Sequence, residues 1–304
     1  MTNLPVELRG QLSEHFSLEL PAVKERTAPA PDGSQKYLFT LTDGALIESV
    51  YMPMRDRTSI CVSSQAGCAV GCTFCVTGFF GGGRNLQPSE IVGQYRVIRE
   101  EHNLSPEQIN IVFMGMGEPL LNYDALVDSL ETLYLEIAPK RMTVSTSGII
   151  PGIEDLAALD RRPNLAVSIN APDAKRREEI MPITRKYPLS ELMAALRNFP
   201  LDHGRFITAE YVLIREFNDS PEDARLLARL LRGVQAKVNL IPLNEDANLP
   251  AWMKRPEDER IDRFADALTR ERVPITVRRS KGRDIAAACG QLRGKTDRKR
   301  KAST

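Results

Sequence analysis

From about Thr58 onward, short apolar runs alternate with longer amphipathic ones, and this alternation constrains the fold more than any other feature of the chain. Ser59–Ser63, Ile109–Phe113, Met142–Ser145, Leu165–Asn170, Phe206–Leu213, Val238–Pro242 and Ile275–Arg278 have the length and apolar content of strands. Between them Ser89–Glu101, Asp124–Leu135, Leu189–Phe199, Pro221–Leu231 and Arg260–Arg272 carry helical spacing. Strands separated by helices form βαβ units, so the chain predicts an α/β fold on a parallel sheet, either open or curled into a barrel. Upstream, Leu4–Phe16 has helical spacing and the Pro-rich, polar Lys24–Ser34 reads as a loop. Tyr37–Thr42 and Ala45–Tyr51 flank Asp43-Gly44, a hairpin signal. The expected organisation is a helix-plus-hairpin appendage over residues 1–57, a core over 58–293 and a basic, mobile tail over 294–304.

Composition narrows the function. Lys and Arg number 41 against 40 Asp and Glu, so no global basic field attracts nucleic acid or membrane, and any basic surface must be local. Local candidates are Lys140-Arg141, Lys175-Arg176-Arg177, Arg278-Arg279-Ser280-Lys281-Gly282-Arg283 and the tail. No apolar run reaches the roughly 18 residues of a spanning helix. The first residues, Met1-Thr2-Asn3-Leu4-Pro5, carry no secretory signature, so the expected compartment is the cytoplasm. Five cysteines, three of them within eight residues, do not make a secreted disulfide framework.

Those three are Cys68, Cys72 and Cys75, spaced C-x3-C-x2-C directly after the first core strand. Three thiolates on one tight loop can ligate three irons of a cubane [4Fe–4S] cluster, leaving the fourth iron open for a substrate. Gly67 and Gly71 let the backbone fold closely around such a group. The competing readings are structural zinc, for which His15, His102 and His203 offer no suitable pair, and inert buried thiols. Gly115-Met116-Gly117-Glu118-Pro119 follows another strand, where ligands of parallel α/β folds bind; glycines allow close approach there and a carboxylate can accept from an ammonium.

The cysteine motif resembles the radical S-adenosylmethionine (SAM) superfamily. Cys61-Val62-Ser63-Ser64-Gln65-Ala66-Gly67-Cys68, Arg84-Asn85-Leu86, Phe113 through Leu120, Ser145-Thr146-Ser147-Gly148, Asn239-Leu240-Ile241-Pro242 and Ala288-Cys289-Gly290-Gln291-Leu292 further resemble the RlmN/Cfr family of RNA adenosine methyltransferases, in the same order and over about residues 35–293. The resemblance implies a partial (β/α)6 barrel with a small N-terminal β-hairpin-containing extension and a C-terminal extra strand. It implies two cofactors, a [4Fe–4S] cluster on Cys68, Cys72 and Cys75, and SAM used twice per turnover. SAM would be held by Gly117, Glu118, Ser145, Ser168, Ile169, Asn170 and Asn244, where Asn170 replaces the His usual in the family.

The same resemblance assigns the remaining thiols. Cys289 would carry the methyl group as S-methylcysteine, and a radical formed on that methyl would add to the adenine ring. Cys61 would then resolve the protein–RNA link by forming a disulfide with Cys289, and Glu48 would accept the ring proton. The implied activity is methylation of adenine C2 in 23S rRNA, and in tRNA; the runner-up is Cfr-type C8 methylation. Of other classes, a non-catalytic iron–sulfur electron carrier leaves Cys61 and Cys289 without a task, and intact thiols and Glu48 speak against an RNA-binding module that has lost catalysis. Partners would be RNA, met by Arg278, Arg279, Lys281 and Arg283, and a one-electron reductant such as flavodoxin or ferredoxin, with the enzyme a monomer. Family members commonly begin with a further helical segment ahead of the region matched by Leu4–Phe16, so a shortened N-terminus is expected.

Overall fold

A computed structural model of the chain describes residues 4–15, 19–79, 81–278 and 291–292. Among these residues ten strands form one sheet in chain order: β1 (Ala22–Arg26), β2 (Gln35–Thr40), β3 (Leu46–Pro53), β4 (Thr58–Cys61), β5 (Ile109–Phe113), β6 (Met142–Thr146), β7 (Asn164–Ser168), β8 (Ile207–Leu213), β9 (Ala236–Pro242) and β10 (Ile275–Val277). β1 to β4 pair antiparallel and β4 to β10 pair parallel, so the sheet is mixed and β4 is the strand where its sense changes.

Helix α1 (Val6–His15) precedes the sheet, and α2 (Val76–Phe79), α3 (Pro88–Glu101), α4 (Tyr123–Leu133), α5 (Ile150–Ala157), α6 (Ala174–Ile180), α7 (Leu189–Asn198), α8 (Pro221–Leu230) and α9 (Asp258–Arg270) lie between the parallel strands. The parallel series is therefore the α/β architecture that the alternation predicts.

Pairing register sorts the strand residues onto two faces, because directly opposed residues share a face and successive ones alternate. Ile60, Ile111, Met142, Val144, Leu165, Val167, Ala209, Val238 and Leu240 share one face, and all are buried. The helices cover this face; the Tyr211 ring, for example, stacks at 5.4 Å on Phe264 of α9. On the other face stand Glu48, Cys61, Val112, Thr143, Ser145, Ser168, Glu210, Asn239 and Thr276. A flat sheet would put β4 and β10, six strand spacings apart, at about 29 Å from each other. Yet residues following both strands line one cavity, so the sheet curls around its polar face.

The hairpin forms as expected: Asp43 Oδ1 accepts the Ala45 amide at 3.0 Å, and Gly44 takes φ +83° in the turn between β2 and β3. The Lys24–Ser34 loop needs correction, since Ala22–Arg26 is strand β1. All five of its residues are exposed, so no apolar alternation marked it, and backbone bonds to β2 hold it at the sheet edge, with Arg26 also paired to Glu101 of α3. Helices α5 and α6 also escaped the periodicity reading, being only 8 and 7 residues long. The seventh strand stops at Ser168, not Asn170, because Asn170 adopts φ +56°, a left-handed conformation that asparagine tolerates and a strand does not.

Candidate active site at the strand ends

Cys68, Cys72 and Cys75 line one cavity together with Gly117, Glu118, Ser145, Ser168, Asn170, Glu210, Asn244 and Arg278. The cavity is open to solvent, and its empty space, part of it solvent, is about 960 Å3. Every parallel strand from β5 to β10 contributes from its carboxyl end.

The cysteine loop is shaped by short backbone bonds. The Cys68 amide donates to Gly81 O at 3.0 Å, the Cys75 amide to Cys72 O at 3.1 Å, and the Thr73 amide to Ile180 O at the end of α6 at 3.0 Å. Gly67 has φ +131°, and a Cβ there would stand 2.7 Å from the Gly83 nitrogen, so only glycine lets the two segments approach. Burial pushes the Cys68 thiol up to about 12 and Cys72 well above the ordinary thiol range. Binding a metal would require these two thiols to lose their protons to it. Among the described residues no three His, Cys, Asp or Glu side chains converge on one point as a single ion would require. The thiols instead stand around one cavity, which suits a cubane, where each thiolate ligates its own iron.

Glu118 is held by the segment facing it. Its amide donates to Gln65 Oε1 at 2.8 Å, and its carboxylate accepts the Ser147 amide at 2.6 Å and the Leu120 amide at 3.1 Å. Burial raises the carboxyl above its usual value, against the pull of its hydrogen bonds to Ser147 and Leu120. Gly117, at φ +103°, lies so close to Gln65 that a Cβ would stand 2.6 Å from the Gln65 Cβ. The Ser63 hydroxyl links this segment to β3, donating to Glu48 O at 2.6 Å and accepting from the Met116 amide at 2.8 Å.

Ser145 and Ser168 reach the cavity from the polar sheet face. Asn170 also lines it while bracing two strand ends, its Oδ1 accepting the Val212 amide at 2.8 Å. Ile169 is fully buried in the core and is not among the lining residues. Cys61 and Glu48 do not line the cavity but share its sheet face. Cys61 stands opposite Val50, two residues along β3 from Glu48, and both are nearly fully buried. Lys36, diagonal to Glu48 across the hairpin, brings Nζ to 3.3 Å from its Oε1.

Arg278 lines the cavity, its amide donating to Leu240 O at 2.8 Å. Arg279, Lys281, Arg283 and Cys289 lie outside the described residues. Just beyond them Gln291 Nε2 donates to Glu245 O at 3.1 Å and Leu292 O accepts the Thr77 hydroxyl at 2.6 Å, which ties this part of the chain to α2 and the cysteine loop. The Lys175-Arg176-Arg177 patch is corrected: Arg176 is paired with Asp173 at 2.6 Å and Asp223 at 2.7 Å, and Arg177 is buried.

Sequence reasoning missed Glu210, an inward carboxylate between Ser168 and Asn239 whose Oε2 accepts Asn239 Nδ2 at 2.9 Å. The signal available was a single acid inside the apolar run Ile207–Leu213.

A family model for the radical SAM superfamily matches residues 62–228. A dual-specificity RNA methyltransferase RlmN of Anaeromyxobacter dehalogenans is 48% identical over 96% of this chain and 80% of its own length. One from Desulfosudis oleivorans is 47% identical over 96% of this chain and 79% of its own. The chain belongs to the RlmN family of radical SAM RNA methyltransferases. A crystal structure of a radical SAM methyltransferase from Sphaerobacter thermophilus superposes with a TM-score of 0.91 at 44% identity, covering 97% of this chain and 87% of that one. The radical SAM fold of this RlmN-family chain is thus the α/β architecture described above. No helix among its described residues is long and apolar enough to cross a membrane.

Proposed function

We propose that this chain methylates C2 of an adenosine in 23S rRNA, and in tRNA, by carrying the methyl group on Cys289 and releasing the product through a disulfide with Cys61. One observation carries the reading: three thiols and Gly117-Glu118 share a single cavity at the strand ends, while Cys61 and Glu48 stand on the sheet face that continues into it. Cys68, Cys72 and Cys75 would hold a [4Fe–4S] cluster, and Glu118, Ser145, Ser168, Asn170 and Asn244 would hold SAM, two molecules per turnover. When bound and reduced by a one-electron donor such as a flavodoxin or ferredoxin, the cluster supplies homolytic cleavage of SAM.

The chain's own residues do the rest. The thiolate of Cys289 is the nucleophile that takes a methyl from the first SAM. Gln291, two residues later, is bound to Glu245 O beside Asn244 in the cavity lining, which supports delivery of that thiol to the site. Glu48, buried on the inward face, accepts the proton lost from the adenine ring. Attack of the Cys61 thiolate on the sulfur of the Cys289 adduct would form one S–S bond and break one C–S bond, the departing methylene carbon keeping the electron pair and taking up a proton to become the methyl group, after which a two-electron reductant would restore both thiols. A buried site requires the target base to leave its stack. Arg278, Arg279, Lys281 and Arg283 would meet the RNA backbone of such a substrate. The protein acts as a cytoplasmic monomer in this reading.

The test incubates enzyme reconstituted with iron and sulfide, SAM and reductant with separate 23S rRNA and tRNA fragments, then compares digested nucleosides with 2-methyl- and 8-methyladenosine by mass spectrometry. 2-Methyladenosine is expected; 8-methyladenosine would mean Cfr-type regiochemistry, and no SAM cleavage would mean an electron carrier. Cys61→Ala is expected to accumulate a covalent protein–RNA adduct on a denaturing gel, and freely released product from that variant contradicts the resolving role.

A further inference from the structure

Arg177 of α6 heads the large side chains of the described residues that are fully shielded from solvent, at 0% exposure. Its Nε donates to Ile169 O at 3.2 Å, Nη1 to Thr184 Oγ1 at 2.7 Å, and Nη2 to Ser147 O at 2.6 Å and Ser168 O at 2.9 Å. All four acceptors are neutral. Among the described residues no carboxylate forms an ion pair with it; Glu118 accepts the Ser147 amide, one peptide unit before the Ser147 carbonyl that Nη2 binds. Guanidinium does not shed its proton to escape burial, so this positive charge has to be balanced by a negative one nearby.

Ser147 and Ser168, whose carbonyls hold Nη2, line the same cavity as Cys68, Cys72 and Cys75, so thiolates held there by a cluster would be the negative charge next to the guanidinium. Helix α6 is docked on the cysteine loop: Ile180 O accepts the Thr73 amide at 3.0 Å, and Ile180 and Met181 pack with Cys72 and Phe74. Three thiolates around a [4Fe–4S] core of charge 2+ sum to −1, and one-electron reduction takes the sum to −2. A fixed buried cation stabilises the reduced form more than the oxidised one, and net charge is among the factors that set such potentials.

We propose that Arg177 is the built-in counter-charge of the iron–sulfur cluster, a positioning residue that raises the cluster's reduction potential while clamping the ends of β6 and β7 where Ser145 and Ser168 enter the cavity. The proposal rests on the reading of Cys68, Cys72 and Cys75 as cluster ligands. The redox step is the addition of one electron from a low-potential donor to the oxidised cluster, with no bond made or broken in the protein.

The test reconstitutes the full chain and its Arg177→Lys, Arg177→Gln and Thr184→Asp variants with iron and sulfide. Iron content is assayed first, and the midpoint potential is then measured by mediated titration with electron paramagnetic resonance. Thr184→Asp keeps Arg177 and sets a carboxylate against Nη1, so it decides the matter if Arg177→Gln does not fold. Expected are a potential near the parent's for Arg177→Lys, which keeps the charge but not the clamp, and more negative potentials for Arg177→Gln and Thr184→Asp. Equal potentials across the set, or Lys and Gln variants shifted alike, would reduce Arg177 to a structural clamp and overturn the proposal. A parent chain that takes up no iron would instead overturn the cluster reading on which it rests.

Discussion

Glu210 shows at the scale of one residue how register creates chemistry. It alternates with Ala209 and Tyr211, which face the helices, and so turns inward between Ser168 and Asn239 with 6% of its surface exposed. Burial raises its carboxyl above the usual value of 4.5, with Arg278 and Asn239 pulling the other way. Between its unfolded and folded values the native state therefore binds more protons than the unfolded chain, so this residue's contribution to stability falls as pH rises through that window. Glu210→Gln keeps an oxygen for Asn239 and removes the charge. A higher melting temperature than the parent is expected at pH 8, with the gain vanishing below about pH 4.5; calorimetry at both pH values checks it. That an acid interrupts an apolar strand is legible in the sequence, but which face it enters is not.

Among the elements, legibility followed apolar periodicity and end signals. Helix α8 has both: Pro221 sits at its first turn, and Ser220 Oγ accepts the Asp223 amide at 3.1 Å while the Asp223 carboxylate accepts the Ser220 amide at 3.1 Å. Ser220→Ala breaks this reciprocal cap and is expected to cost about 1 kcal/mol of stability, read as a lowered urea midpoint with an unchanged slope. Helix α6, Ala-Lys-Arg-Arg-Glu-Glu-Ile, offers no such stripe, since the side chains it buries are Arg177 and Ile180. A charged run reads as a solvated face unless tertiary contacts supply partners, as the Ile169, Ser147 and Ser168 carbonyls do for Arg177. Strand β1 failed the reading for the opposite reason: its residues are all exposed, and its ladder forms through pairing with β2.

For the whole molecule, the hairpin is part of the same sheet as the parallel strands. β3 pairs with β4 from Val50↔Cys61 to Pro53↔Thr58, and Tyr37, Phe39 and Ile47 belong to the main core. A chain beginning at Arg57 would expose β4 as an unpaired edge and uncover that apolar face, so it is expected to aggregate on size-exclusion chromatography where the full chain elutes as a single species. The alternation of runs determined the α/β class by itself, because each run's period states which local structure buries it. The Cys68-Cys72-Cys75 spacing determined the candidate cluster for a similar reason: three ligands on one short loop need no distant part of the chain to meet. Only the tertiary structure put Glu48 and Cys61 on one face, brought Glu210 to the cavity and buried Arg177 beside the cysteine loop. Those placements depend on strand register and helix docking between residues far apart in the chain, and side-chain alternation along one segment carries no information about either.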